Sequence, residues 1–282
     1  MLLKAQPQDV TKYCDFAYSL ALDQTKSCYP AYSDGIKTKE DFMAAAWQNI
    51  EKETAELLLF LLDGTIEGWI GYFWIPEEHY LQLNMCNINR ETGQALSELL
   101  DLLKERFAGY TLYFGFPERN SDAVRFLREN GFDCIEEDWN YSFFFKHYTI
   151  LPEPKYIARI SKENFDDFRI VYDSDNQAYW NCDRILEKLN DWILYVYYQA
   201  HTPAGALAMR GDNGYYEIYG IEFAENSFQE EACRALLTAA LNQCKCIGAD
   251  YMTFFCEDAY QKLVQELGFS CVGKYMCHLK TI

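Results

Sequence analysis

Two periods of apolar spacing alternate along this chain, and each switch marks an element. Leu2 to Ala5 reads as a short strand. After Pro7 and Asp9, the residues Val10, Tyr13, Phe16 and Ala17 fall on one helix face, because positions three and four apart share a side. "TKEDFMAAAWQNIEK" predicts a second helix. "ELLLFLLDGTIEGWIGYFWI" then reads as two strands around a tight turn, since Asp63-Gly64 suits the positive φ of a two-residue hairpin. A further strand, "YLQLNMCNI", leads to "GQALSELLDLLKERF", where Leu96, Leu99, Leu100, Leu103 and Phe107 return to the helical period. "YTLYFGFP" is strand-like. "VRFLRENGFDC" ends an amphipathic helix at a glycine suited to the left-handed C-cap, and a last strand begins there.

The same order then runs again. "KYIARISKENFDDFRIVY" gives a strand, a polar cap and a helix carrying Phe165, Phe168 and Tyr172, and "CDRILEKLND" gives the next helix. "DWILYVYYQAHTPAGALAMR" holds two strands, and Asn213-Gly214 turns the chain into "YYEIYGIEF". "QEEACRALLTAALNQCK" sets Ala232, Ala235, Leu236, Ala239 and Ala240 on one helix face, and "DYMTFFC" is a strand. "QKLVQELGFSC" at 261–271 then echoes "VRFLRENGFDC" at 124–134. Both halves read β-α-α-β-β-β-α-β-α-β, which is an internal duplication of one mixed-sheet α/β domain. The prolines of "YTILPEPKY" interrupt both periods and predict domains at 1–148 and 156–282, joined by a linker at 149–155.

Composition narrows the partners. The chain has 282 residues, half of them hydrophobic and 17% aromatic, which is enough for two packed cores. A formal charge of -18 argues against nucleic acid and anionic membranes, which attract basic footprints. It favours a cationic or amine substrate, or simply keeps the chain in solution. "MLLKAQPQDVTKYC" lacks the plan of an export signal, and Asp63-Gly64 and Glu67-Gly68 break the greasiest run short of a membrane span. The expectation is a cytoplasmic protein whose eleven cysteines are reduced and mostly act as small apolar residues. "CKC" at 244–246, with Cys256, Cys271, Cys277 and His278, offers no Cys-x-x-Cys pair, so no metal is expected.

The element order, with Gly-Phe closing the last helix of each half, resembles the GNAT superfamily of acyl-CoA-dependent N-acyltransferases over nearly the whole chain, twice. The resemblance implies acetyl-CoA as co-substrate. In that family an Arg/Gln-x-x-Gly-x-Gly/Ala turn joins the fourth strand to a helix, whose N-terminal N–H groups hold the CoA pyrophosphate. "RETGQA" at 90–95 matches with Arg90, Gly93 and Ala95, and Thr92 and Gln94 lie inside the turn. Aligning the helix leucines instead puts Thr92 at the Arg position, and an ordinary helix start capped by Asn89 is the structural alternative. In the second half "FQEEAC" at 228–233 stands there, with Phe228 for the Arg/Gln and Glu231 for the glycine; Glu230 and Glu231 suit a helix start but repel a pyrophosphate. The family's Asn-x-x-Ala is matched by Asn120 and Ala123, so Asn120 would reach the pantetheine arm or else cap the helix. In the second half those positions are Glu257 and Tyr260. The family tyrosine that commonly protonates the departing thiolate is Leu127 in one half and Val264 in the other.

An amine must lose a proton before it attacks a thioester, and a carboxylate can accept it. Some family members carry a glutamate eleven residues before the turn, and Glu217 has that offset from Phe228, among Tyr216, Ile218, Tyr219 and Ile221. Its structural alternative is a pairing with Arg184 or Arg210. The first half offers Gln82 and Asn84 instead. Tyr179, Trp180 and Arg184 lie in the segment that borders the acceptor pocket in this fold, and are candidates to bind the acceptor or to form an interdomain contact. The resemblance thus implies transfer of an acetyl group from acetyl-CoA to a small amine or a peptide amino terminus by direct attack, with the cofactor in the first half. The alternative is a binding or regulatory protein that kept the fold and lost catalysis.

Overall fold

The computed structural model describes residues 1–172, 180–212, 214–225 and 227–282. The chain runs β1 (Leu2–Lys4), α1 (Pro7–Ala21), α2 (Lys39–Glu51), β2 (Ala55–Leu62), β3 (Thr65–Ile75), β4 (Tyr80–Ile88), α3 (Thr92–Arg106), β5 (Thr111–Pro117), α4 (Ser121–Glu129) and β6 (Asp133–Phe144). It then repeats as β7 (Ile157–Arg159), α5 (Phe165–Tyr172), α6 (Cys182–Glu187), β8 (Trp192–Gln199), β9 (Thr202–Asp212), β10 (Tyr215–Phe223), α7 (Glu230–Cys246), β11 (Tyr251–Cys256), α8 (Gln261–Glu266) and β12 (Ser270–Thr281). The duplicated order is the one the apolar periods predict. Among the described residues, no helix is long and apolar enough to cross a membrane.

The repeated phrase does the same local work twice. Gly131 and Gly268 follow α4 and α8 with φ of 70° and 97°, which glycine adopts without strain. Phe132 and Phe269 then donate backbone bonds back to Leu127 (3.1 Å) and Val264 (3.0 Å). Their rings are buried against Phe114 and Phe143, with centroids 5.4 and 5.0 Å apart. Each last strand is thereby launched across its helix.

Where those strands go differs from the expected division at 149–155. One compact unit comprises Met1–Asp138 with Val272–Ile282, and the other comprises Trp139–Cys271. In the first, the strands lie in the order β1-β2-β3-β4-β5-β12, antiparallel except for β4–β5. In the second the order is β7-β8-β9-β10-β11-β6, antiparallel except for β10–β11. So β12 closes the first sheet, and β6 from Trp139 onward closes the second. Side-chain fit is the reason. Tyr275 of β12 lies over Gly115 of β5, where a Cβ would stand 2.0 Å from its hydroxyl, and Met276 is buried in the first core. Tyr141 and Phe143 of β6 are buried in the second core.

Each unit is a sheet between helices. Leu57 and Leu59 of β2 pack with Val10, Phe42 and Trp69 on the α1–α2 side, whereas Leu58 and Phe60 pack with Leu96, Leu99 and Leu103 on the α3 side. The unbroken apolar run of β2 is thus a strand buried on both faces. In the second unit Leu194 and Val196 meet Phe168 and Ile185 on one side, and Tyr195 and Leu207 meet Leu236 and Leu237 on the other.

Ending the chain after Cys271 removes β12 from the first unit alone. Hydrogen exchange should then show β5 amides opening faster by roughly a hundredfold, the factor that about 3 kcal/mol of local stability gives, while β8–β11 keep their protection. Equal loss in both units would contradict the observed pairing.

Candidate functional site

The two parallel pairs are short, and both come apart at the same kind of irregularity. β4 pairs with β5 only from Tyr80–Thr111 to Gln82–Tyr113, and β10 with β11 only from Tyr215–Tyr251 to Ile218–Phe254. Just beyond, each strand carries one extra residue against its antiparallel neighbour. It is Asn84 in β4 and Tyr219 in β10. A bulge bends its strand, so the parallel partners diverge and leave a gap.

In the first unit β4 leads out of this gap to the start of α3. Glu91 caps the helix in the left-handed conformation, with φ of 59° and no side-chain capping bond. Asn89 is therefore not the cap. Its amide donates to Glu67 (2.9 Å), whose other oxygen holds Arg90 (2.8 Å), and Lys26 donates to the Asn89 side-chain carbonyl (2.8 Å). The first turn of α3 has no acidic residue, and a Cβ on Gly93 would meet nothing within 4 Å. Thr92 and Ala95 are buried in the packed side of the helix, while Gln94 is exposed and donates to Glu98 (3.0 Å). The first turn of α7 instead carries Glu230 and Glu231.

In the second unit Glu217 is half-buried on β10, in register with Arg210 of β9 and Thr253 of β11. The Tyr215 phenol donates to Glu217 Oε2 (2.9 Å) and meets Thr253 Oγ1 at 2.8 Å. A cleft of about 540 Å³ opens over this row, lined among others by Asp191, Trp192, Arg210, Tyr215, Glu217 and Tyr219. Burial first, and the Glu217 charge second, push the Tyr219 phenol up. Trp180 borders the cleft, its ring 5.3 Å from Trp192 and 5.1 Å from the Arg210 guanidinium. Arg184 lies in α6, with its backbone N–H on the Asn181 side chain (3.1 Å), and is not among the described residues lining the cleft. Tyr179 lies outside the described residues. The first unit repeats the tyrosine without the acid: Tyr80 donates to Gln82 Oε1 at 2.7 Å.

No protein-family model matches the chain, and no curated protein matches its sequence. Solved structures do match. A GCN5-related N-acetyltransferase from Sphaerobacter thermophilus superposes with a TM-score of 0.66 at 14% identity, over 99% of this chain and 95% of that one. A tandem GNAT protein from the clavulanic acid biosynthesis pathway gives 0.51 at 10% identity, over 99% and 98%. The GCN5-related glucosamine N-acetyltransferase region of a fungal multi-domain β-N-acetylglucosaminidase gives 0.60 at 10%, over 99% of this chain and 38% of that one. The fold is that of the GNAT superfamily, in tandem. At these identities it is the fold that is shared.

Acyl-CoA, the cofactor this fold implies, has a pyrophosphate and a long amide-bearing arm, and the two units treat the two ends differently. The open start of α3, whose first turn beyond the Glu91 cap has no acidic residue, fits the pyrophosphate. The arm does not fit the gap beside β4, because the chain itself is there: Ser27 bridges antiparallel to Asn87, and Ile88 N–H donates to Lys26 O (2.9 Å). Asn120 caps α4 by accepting from Ala123 N–H (3.3 Å), and its amide donates to Ser27 O (3.1 Å) rather than pointing into free space. In the second unit the gap beside β10 holds Tyr260, whose hydroxyl donates to Ile221 O (3.0 Å) and whose ring packs on Phe223, Phe228 and Phe254. Neither filler was singled out in the sequence. Tyr260 left a trace, a bulky residue where the other half has Ala123, whereas Lys26–Cys28 left none. Among the described residues no group of His, Cys, Asp and Glu is arranged to hold a metal ion.

Hydrogen bonds from Arg90 first, then Asn89, hold the Glu67 carboxyl below its ordinary value of 4.5. A lowered carboxyl pKa stabilises the fold above the unfolded value, and that stabilisation is lost as pH falls through the folded one. Glu67→Gln should therefore cost on the order of 1 kcal/mol at neutral pH and little at an acid pH below the folded value. Denaturant unfolding at both pH values checks this, and an equal cost at the two would exclude the linkage.

Proposed function

We propose that this chain is an acyl-CoA-dependent N-acyltransferase that moves an acetyl group from acetyl-CoA to a small amine or a peptide amino terminus. The observation that carries the reading is the start of α3, where no side chain bonds the first N–H groups and no acidic residue follows the Glu91 cap in the first turn, with Gly93 facing open space beyond a bulged strand. Backbone N–H groups and the helix dipole favour a doubly charged phosphate group there, and the missing Cβ lets it come close. The half-exposed Arg90 guanidinium, ion-paired with Glu67, lies beside it. Acetyl-CoA would supply the acetyl group as an activated thioester. Its thiol, of pKa about 8.5, leaves readily enough near neutral pH that Leu127 and Val264 in place of a proton-donating tyrosine are tolerable.

The chain's own chemical task is to take the proton of the amine. Glu217 is the candidate base, with one oxygen held by Tyr215 and the cleft in front of it. The aromatic walls of Trp192 and Tyr219 and the net charge of -18 favour a cationic acceptor. No Cys or Ser is among the described residues lining the cleft, so attack on the acyl carbon would be direct. Trp180, at the cleft border, is the remaining acceptor-side candidate. The reading sets the protein in the cytoplasm, where its eleven cysteines would stay reduced.

A second reading, a GNAT-fold binding protein without catalysis, is favoured by one specific observation: both gaps beside the bulged strands are filled from within. It also accords with Glu217 and the open helix start lying in different units.

Calorimetric titration of acetyl-CoA into the intact protein should give one site per chain, weakened at least about tenfold by Gly93→Glu, which sets a negative charge at the helix start. Binding indifferent to that change would move the site to the second unit, and no binding at all would favour the non-catalytic reading. Glu217→Gln should lower turnover roughly a hundredfold or more with the acetyl-CoA Kd unchanged. Full turnover in that variant would remove Glu217 from the reaction.

A further inference from the structure

The segment in the first unit's gap is placed like a ligand. Alternate residues of an antiparallel strand send their N–H groups to opposite edges. Asn89 N–H goes to Glu67 O of β3, so Ile88 N–H points the other way, into the gap, and there it meets Lys26 O. Ser27 completes an antiparallel bridge with Asn87. Three further contacts hold the segment: Asn120 on Ser27 O, Lys26 on Asn89, and Gln24 on Val272 O (3.1 Å). A strand edge reads amide N–H and C=O groups irrespective of what carries them, so an amide-bearing arm and a stretch of backbone compete for one set of bonds.

We propose that Lys26–Cys28 is an internal strap that competes with acyl-CoA for the gap between β4 and β5, so that the first unit takes the cofactor only when the strap withdraws. The proposal rests on the acyltransferase reading. Two features make the strap removable. It belongs to the connection between α1 and α2 rather than to a helix or a sheet strand, so that it can leave without unpairing either. Its seat is also imperfect. The Ser27 hydroxyl is buried, at 1% exposure, and has no hydrogen-bond partner among the described residues. An unpaired buried hydroxyl costs stability that withdrawal returns. Among the described residues of the second unit, it is a side chain, Tyr260, that bonds β10.

Cys28 reports on the strap directly. It is 3% exposed beside Cys86, and burial pushes its thiol up to about 12, so a maleimide reaches it only when the strap is out. Asn120→Asp keeps the oxygen that caps Ala123 N–H and replaces the donor to Ser27 O with a second acceptor, which loosens the strap without uncapping α4. Lys26→Ala loosens it at the Asn89 end, away from any helix cap. Both variants should label at Cys28 about tenfold faster, as read by peptide mass, and should bind acetyl-CoA about tenfold more tightly, because the competent state is no longer rare. Saturating acetyl-CoA should also speed Cys28 labelling in the unaltered protein. Weaker binding in both variants, with Cys28 equally protected in the presence and absence of acetyl-CoA, would overturn the strap while leaving the acyltransferase reading intact. Faster labelling in the variants with no acetyl-CoA binding by any of the three proteins would overturn that reading, and the strap's competition with it.

Discussion

β4 runs parallel to β5 for three residue pairs and then bulges away, and β10 leaves β11 in the same manner after four. Past the bulge, the N–H and C=O groups on the open edge have lost their strand partner. Buried backbone polar groups cannot stay unpaired without a cost comparable to a lost hydrogen bond. Something must answer that edge. A fold that opens its sheet in this way creates a demand that a ligand's amides, a loop or a side chain can each meet. Much of what distinguishes the two units follows from which of these does so here.

The copies meet the demand by different means. In the first, a loop supplies backbone amides, and the first turn of the helix that follows, past the Glu91 cap, has no acidic side chain. In the second, a tyrosine hydroxyl reaches one carbonyl, and Glu230 and Glu231 occupy the helix start, where the dipole welcomes carboxylates but their charge discourages phosphate. The Tyr–Gln pair of β4 and the Tyr–Glu pair of β10 show the same division from another side. One geometry, a phenol bonding a side chain two residues along the strand, has been kept twice. Only one copy has a group that can accept a proton.

Closure of the two sheets ties the copies together in the chain. β6 and β12 follow near-identical helix endings, yet each is placed by what its side chains meet. Tyr275 needs the bare surface of Gly115, and Tyr141 and Phe143 need the apolar wall of the second core. The last residues of the chain are consequently part of the first unit.

The apolar periods determined the order and type of every element. Leu57 to Phe60 read as a strand because such a run can be buried on both sheet faces, and Gly131 and Gly268 as helix stops because their φ is positive. The duplication, the open turn at Gly93 and the carboxylate at Glu217 were legible in the same way, because each depends on residues close in sequence. What tertiary structure alone decided depends on distant pairs. A strand's own residues do not name its neighbour, so the exchange of β6 and β12 was hidden. Asn120 reads the same in sequence whether its amide faces a cofactor or Ser27, and Asn89 reads as a cap until Glu67, on another strand, claims its side chain. Lys26–Cys28 has no periodicity to betray it. A loop's hydrogen bonds are set by where the folded chain leaves unpaired backbone, and that is a property of the assembled sheet rather than of the segment.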